Sequence, residues 1–220
     1  MPGHRRGHVA FSPDGRFLLS GGLHADATVY DTADWQVVRT PTDSRGVWAA
    51  AFRPDGTEAV LIRPDDRSEE SVHRPVEFWD TQDWKRTGTA DVGNENVYSV
   101  AFAPDGGIVA LAHPPNGLVG IWSSDFRQRL VEFIAHRQTT WGAAFSPDGA
   151  TLATVGADNT VRLWDTSSWQ KRDEWRHRET ADDANFEHSA LCVAFSPDRR
   201  HLVTGCLDGT LSVWQSDGMF

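Results

Sequence analysis

Short apolar runs alternate with turn-forming residues along the whole chain, and the alternation itself repeats. The runs Phe17-Leu18-Leu19, Ala59-Val60-Leu61-Ile62, Ile108-Val109-Ala110-Leu111, Leu152-Ala153-Thr154-Val155 and Leu202-Val203-Thr204 each follow a Pro-Asp turn. Runs of this length, bounded by turn residues, read as strands. None approaches the roughly 20 apolar residues that span a bilayer.

The turn belongs to a phrase that recurs five times: Ala10-Phe11-Ser12-Pro13-Asp14-Gly15, Ala51-Phe52-Arg53-Pro54-Asp55-Gly56, Ala101-Phe102-Ala103-Pro104-Asp105-Gly106, Ala144-Phe145-Ser146-Pro147-Asp148-Gly149 and Ala194-Phe195-Ser196-Pro197-Asp198-Arg199. Pro presets φ for the second position of a type I turn, and Gly supplies the left-handed residue that closes a bulged hairpin. Arg199 takes the Gly position in the last copy and should be strained there. A second turn follows each run, with Asn116-Gly117, Asp158-Asn159 and Asp208-Gly209, pairs that favour primed hairpin turns. A third strand ends at Tyr30-Asp31, Trp79-Asp80, Trp122-Ser123, Trp164-Asp165 or Trp214-Gln215, and a fourth follows Trp35, Trp84, Phe126 or Trp169. Each repeat is therefore read as a four-stranded antiparallel meander, a to d. The repeats run over about 7–40, 46–89, 96–134, 139–175 and 189–216, within one domain covering 1–220.

These residues give a resemblance. The chain resembles the WD-repeat β-propeller family over essentially residues 7–216. The resemblance implies an all-β propeller of four-stranded antiparallel blades, with five repeats present, as a partial or small propeller. It also implies a structural tetrad of His, Ser or Thr, Asp and Trp, which carries over completely in one blade as His136, Thr154, Asp158 and Trp164. The fifth repeat has Thr204, Asp208 and Trp214, with Phe186 in the His column. The third has Asn116 and Trp122 without a His, and the first has His24 and Tyr30 in the Asp and Trp columns. Family members mostly close seven blades by pairing an N-terminal d strand with a C-terminal abc, and here no strand precedes Gly7. Three explanations stay open: a portion of a longer protein, pairing with another chain to complete the ring, or a five-blade ring.

Composition narrows the function. The 220 residues carry a net charge of −10, which disfavours nucleic acid and anionic membranes as partners. Two cysteines, Cys192 and Cys206, make no disulfide framework and fit a reducing, cytoplasmic compartment; both read as core filler. Of the 21 basic residues only Lys85 and Lys171 are Lys, a bias that points to a bacterial source. Bacterial proteins that resemble this one carry propellers beside a kinase or signalling NTPase, but no GxxxxGK[ST] phosphate loop occurs.

The long connections Arg63–Pro75, Asp91–Glu95 and Arg176–His188 all fall on the b–c/d–a face, so that face is expected to bind a protein or peptide partner. Small residues in the a strands suit a narrow central channel. Four positions before each repeat Phe stand Gly7, Trp48, Tyr98, Trp141 and Leu191. Trp48, Tyr98 and Trp141 form the candidate partner-binding belt, flanked by Arg45, Asn96 and Gln138; the bland alternative is packing between blades. That column holds no ionisable ligand, so no catalytic residue, metal or cofactor is expected. The reading is a non-enzymatic interaction scaffold; the alternative is a propeller enzyme, or a sensory module of a larger signalling protein.

Overall fold

A computed structural model describes residues 7–22, 25–41, 46–63, 75–93, 96–113, 116–177 and 189–215. Its fold is all-β, of β-propeller blades built as antiparallel meanders. The first sheet joins β1 (Gly7–Phe11), β2 (Phe17–Gly22), β3 (Ala25–Asp31) and β4 (Val37–Arg39). The second joins β5 (Ala49–Phe52), β6 (Glu58–Ile62), β7 (Pro75–Asp80) and β8 (Arg86–Asp91). The third joins β9 (Ser99–Phe102), β10 (Ile108–His113), β11 (Leu118–Ser123) and β12 (Arg129–Ile134). The fourth joins β13 (Thr140–Phe145), β14 (Thr151–Gly156), β15 (Thr160–Asp165) and β16 (Lys171–Arg176). The fifth joins three strands, β17 (Ala190–Phe195), β18 (His201–Cys206) and β19 (Leu211–Gln215). Each repeat Phe pairs with the b strand just beyond the turn, as in Phe145↔Leu152 and Phe195↔Leu202.

The repeated phrase builds its turn in the expected way. Gly149 N–H donates to Ser146 O at 2.8 Å, and Gly149 sits at φ 74°. The Ser hydroxyl is part of the turn: Ser146 Oγ donates to Asp148 at 2.6 Å and accepts from Thr151 N–H at 3.0 Å. Asp148 also accepts from Ala150 N–H, so one carboxylate satisfies the loop donors. Arg199 adopts φ 61° in the same position and pairs with Asp148. The left-handed strain expected there is present.

The b–c turns differ from the primed hairpins expected. Among the described residues one per turn is left-handed, Gly117, Asn159 or Gly209, whereas a type I′ turn needs two. Asn159 N–H donates to Gly156 O and Gly209 N–H to Cys206 O. The b–c turns of the fourth and fifth blades therefore repeat the a–b design, a type I turn closed by one left-handed residue. Asp158 and Asp208 stay right-handed because each carboxylate accepts from the residue two ahead, Thr160 and Thr210.

The c–d turns hold an aromatic in the left-handed region: Trp35 (φ 58°), Trp84 (φ 54°), Phe126 (φ 59°) and Trp169 (φ 58°). Such residues are strained there. The Asp of each Trp-Asp pair holds the turn: Asp165 accepts from Ser167 and Ser168 N–H at 3.0 Å each, and Trp169 N–H donates to Asp165 O at 2.7 Å.

The chain divides into two compact units. Unit 1 comprises Met1–Val97 and Ser124–Gln128. Its core packs Phe17, Leu19, Val29, Val47, Phe52, Leu61, Trp79 and Trp84. Trp84 meets Phe17 edge-on at 5.4 Å, so the strained turn places its ring in apolar surroundings that offset the strain. Unit 2 comprises Tyr98–Ser123 and Arg129–Phe220. It has two clusters, one around Val119, Ile121, Leu152 and Trp164 and one around Val155, Val161, Leu163 and Leu202. In β15 both Val161 and Leu163 are buried, whereas in β19 Leu211 and Val213 are 66% and 60% exposed. Cys206 is buried as core, but Cys192 is exposed and so is not the filler expected, because alternate residues of β17 face outward. No helix is long and apolar enough to cross a membrane.

Candidate functional site

The fourth blade joins the four resembled residues into one hydrogen-bonded chain. Trp164 Nε1–H donates to Thr154 Oγ1 at 2.9 Å. Thr154 Oγ1 lies 2.9 Å from His136 Nε2, and His136 Nδ1 lies 2.8 Å from Asp158 Oδ1. One neutral tautomer satisfies every link: Nδ1–H donates to Asp158, and Nε2 accepts from the Thr154 hydroxyl. His136 and Thr154 are fully buried. Burial pushes the imidazole down against the pull of Asp158. Burial also opposes the charge on Asp158. It is outweighed by hydrogen bonds from His136, Thr160 and the Arg137 N–H, which hold the carboxyl far below the usual range. Arg162 pairs with Asp158 at 3.2 Å from the other side. All donors and acceptors face one another, so the arrangement fixes the blade and offers no group to a substrate.

Other blades solve the same problem differently. In the fifth, Trp214 Nε1–H donates to Thr204 Oγ1 at 2.9 Å; Phe186 lies outside the described residues, as does His24 of the first. In the second blade Leu61 takes the Thr column, and the indole acceptor moves to the c strand. Trp79 Nε1–H donates to Glu77 Oε2 at 3.1 Å. Glu77 is buried and is shared by Arg63 at 3.2 Å and Arg86 at 3.1 Å. In the third blade Leu111 takes the Thr column, and Trp122 Nε1 is buried with no acceptor among the described residues. A His does enter there, but from the b strand. His113 is buried, and its Nε2 lies 3.2 Å from where a Cβ on Gly120 would stand.

The candidate partner-binding residues divide between the units. In unit 2, Tyr98 and Trp141 stack with centroids 5.1 Å apart and planes 18° from parallel. Both are half-buried. Tyr98 N–H donates to Ala112 O, extending the ladder one residue ahead of β9. Trp141 occupies a β-bulge: the register shifts between Thr140 and Gly142. A bulge re-aims a side chain, and here the bulged residue is the one stacked on Tyr98. Gln138 is half-buried just before β13. In unit 1, Trp48 holds the equivalent place, its N–H donating to Ile62 O at 2.8 Å, and Asn96 is half-buried. Arg45 lies outside the described residues. So do 64–74 and 178–188, the bulk of two long connections, and 94–95 of the third.

Four cationic side chains of unit 1, Arg39, Arg63, Lys85 and Arg86, were not singled out by the sequence reading. They line one cavity with Trp79 and Trp84. The signal was the pair Lys85-Arg86: Lys85 follows the strained Trp84, and Arg86 opens β8.

Comparison with known proteins agrees with the repeat pattern. The chain is 29% identical over 179 residues to WD repeat-containing protein VIP3 of Arabidopsis thaliana, covering 78% of this chain and 54% of that protein. It is 26% identical over 211 residues to Periodic tryptophan protein 2 of Arabidopsis thaliana, covering 94% and 22%. Against Pre-mRNA-processing factor 19 homolog 2 of the same plant it is 25% identical over 213 residues, covering 96% and 38%. The chain thus spans about half the length of the first relative and smaller shares of the others. These relatives are eukaryotic and give no support to the bacterial source expected from Arg usage. The family model "WD domain, G-beta repeat" matches residues 1–30, 127–165 and 184–215, and these three stretches are similar to WD-type repeats.

Proposed function

We propose that this chain is a non-enzymatic interaction scaffold that seats a peptide segment of a protein partner at the d–a ends of its a strands. In unit 2 the seat is centred on Tyr98 and Trp141, with Gln138 beside it; in unit 1 Trp48 and Asn96 hold the matching positions. The observation that carries this reading is the half-buried stack at 5.1 Å, presented by a bulge rather than sealed in a core. Aromatic pairs of this kind supply large contact area at low entropic cost. The hydrogen-bonded network of the fourth blade keeps the platform rigid. The names of relatives fit an assembly role, one being a pre-mRNA-processing factor. The compartment proposed is the cytoplasm, in keeping with two free thiols. Self-association through the bare faces of the first and last sheets is part of the same proposal.

The test is quantitative capture. Once a partner is identified by affinity purification and mapped to a peptide, Trp141→Ala should weaken its binding about tenfold or more. Trp35→Ala, at an exposed residue of the c–d side, should leave binding unchanged. Unaltered affinity in Trp141→Ala, with folding intact, would reject the site. Removal of 64–72 should leave folding intact and weaken capture if the b–c/d–a face is the one used.

A further inference from the structure

Unit 1 holds a cavity of about 470 Å³ whose wall carries four cations and, among the described residues, no carboxylate. Arg39, Arg63, Lys85 and Arg86 supply the charge, and the rings of Trp79 and Trp84 supply the apolar wall. This concentration of positive charge stands out in a chain of net charge −10.

The cavity has a cause in the sequence. The d strands β8, β12 and β16 have six residues each, whereas β4 has three and stops at Arg39. Two residues later comes Pro41, which has no N–H to give to a ladder and itself lines the cavity. Beyond the short strand, Arg39 and Pro41 border a recess against the Trp79–Arg86 end of the second blade.

The charges are only partly spent within the protein. Glu77, buried, is shared by Arg63 and Arg86, and Lys85 pairs with Asp83 at 2.6 Å. Arg39 is exposed and makes no ion pair among the described residues, although its field reaches Asp83. Lys85 also feels Asp80, but Arg39 keeps its charge beside a concave, Trp-walled space. Guanidinium groups grouped in this way match the oxygens of a carboxylate or phosphate, and the indole wall takes the stem that carries it. A recess of this size admits a side chain, not a nucleic-acid duplex.

We propose that this cavity binds the oxyanion group, carboxylate or phosphate, of an acidic peptide segment of a protein partner. The proposal rests on the reading of the chain as a peptide-binding scaffold, and it uses none of the residues of the Tyr98–Trp141 site.

The experiment is fluorescence anisotropy of the whole chain with a labelled Glu-rich peptide and with the same peptide carrying one phosphoserine, each with and without inorganic phosphate. Saturable binding that weakens as salt rises is expected. Arg39→Glu and Lys85→Glu should each cost about tenfold or more in affinity at an unchanged melting temperature. Arg127→Glu, at an exposed arginine outside the cavity, should change nothing. Tighter binding of the phosphopeptide, with competition by phosphate, assigns phosphate as the group held. Equal binding without competition assigns carboxylate. Absence of binding, or equal losses in Arg39→Glu and Arg127→Glu, overturns the proposal. Acidic-peptide binding that Trp141→Ala removes and Arg39→Glu spares overturns the cavity while leaving the scaffold reading in place.

Discussion

Gly156 leaves the space that His136 fills: a Cβ on Gly156 would stand 2.4 Å from His136 Cγ and 2.6 Å from Nδ1. The ring is buried and held at both nitrogens, so it cannot swing aside without breaking its bonds. Gly156→Ala should therefore destabilise by about 2–3 kcal/mol, as overpacking of a filled core does. In a His136→Gly background the same change should cost less than about 1 kcal/mol, because every His136 atom that meets the new Cβ, its own Cβ at 2.9 Å included, is gone. Urea unfolding of the four proteins gives the coupling. Additive costs would mean that the two residues do not meet in solution.

Thr154 is the hinge of the same network, accepting from Trp164 and donating to His136. Valine keeps its shape and removes the hydroxyl. Thr154→Val leaves two buried groups unsatisfied and should cost about 2–4 kcal/mol. Thr204→Val in the fifth blade removes the acceptor of Trp214 alone, and Trp214 is only half-buried. Its cost should be about 1 kcal/mol. Comparable losses in chemical denaturation would argue against a privileged fourth blade.

The repeat made the blades legible because its signal is local. Ser146, Pro147, Asp148 and Gly149 act on one another within four residues, so their spacing reveals the turn directly. The same holds for the meander order, whereas His136, Thr154, Asp158 and Trp164 in the fourth blade came from the resemblance and not from a local signal. What stayed hidden depends on tertiary substitution. Glu77 replaces a missing Thr from a different strand, a swap visible only once Trp79 Nε1 is seen to point at it. The b–c turns were misread because Asp158-Asn159 and Asp208-Gly209 look like primed pairs, whereas their side-chain bonds to Thr160 and Thr210 select a type I turn. The cavity beside Arg39 lies where β4 ends early, and Pro41 was a local sign of it. The exposure of Cys192 follows from the alternation along β17, which its apolar neighbours concealed.

Stability should fall as the pH drops below the ordinary His range. The folded protein holds His136 neutral by burial, with the imidazole pushed down, and His177 is lowered by burial as well. A group whose folded pKa is depressed binds protons more readily when unfolded. Its stabilising effect is complete above the unfolded value of about 6.5 and is lost as the pH falls below it. The limiting slope is about 1.4 kcal/mol per pH unit for a fully buried His. Asp158 adds a further loss at much lower pH, since its carboxylate is the favoured form. Melting temperatures measured from about pH 7 to pH 5 should decline, and the decline should be shallower in His136→Gln. A wild-type profile no steeper than that of His136→Gln would show that His136 is not held neutral.

The terminal sheets carry apolar faces that the inner ones bury. Val9 and Phe11 of β1 are 72% and 60% exposed, and Leu211 and Val213 of β19 are 66% and 60% exposed, while Val161 and Leu163 of β15 are sealed. Blade faces of this composition are normally covered by a neighbouring blade, and large exposed apolar patches drive association. The purified chain should therefore show reversible, concentration-dependent association in sedimentation velocity. Leu211→Glu combined with Val213→Glu puts two charges on that face without touching the Trp214–Thr204 bond, so it should shift the protein to monomer while leaving its unfolding curve little changed. Phe11→Glu should do the same from the other unit if each bare face finds a partner in a second copy. A wild-type chain that sediments as one monomeric species at every concentration would mean that these faces do not bind one another, and self-association would have to be dropped from the proposed function.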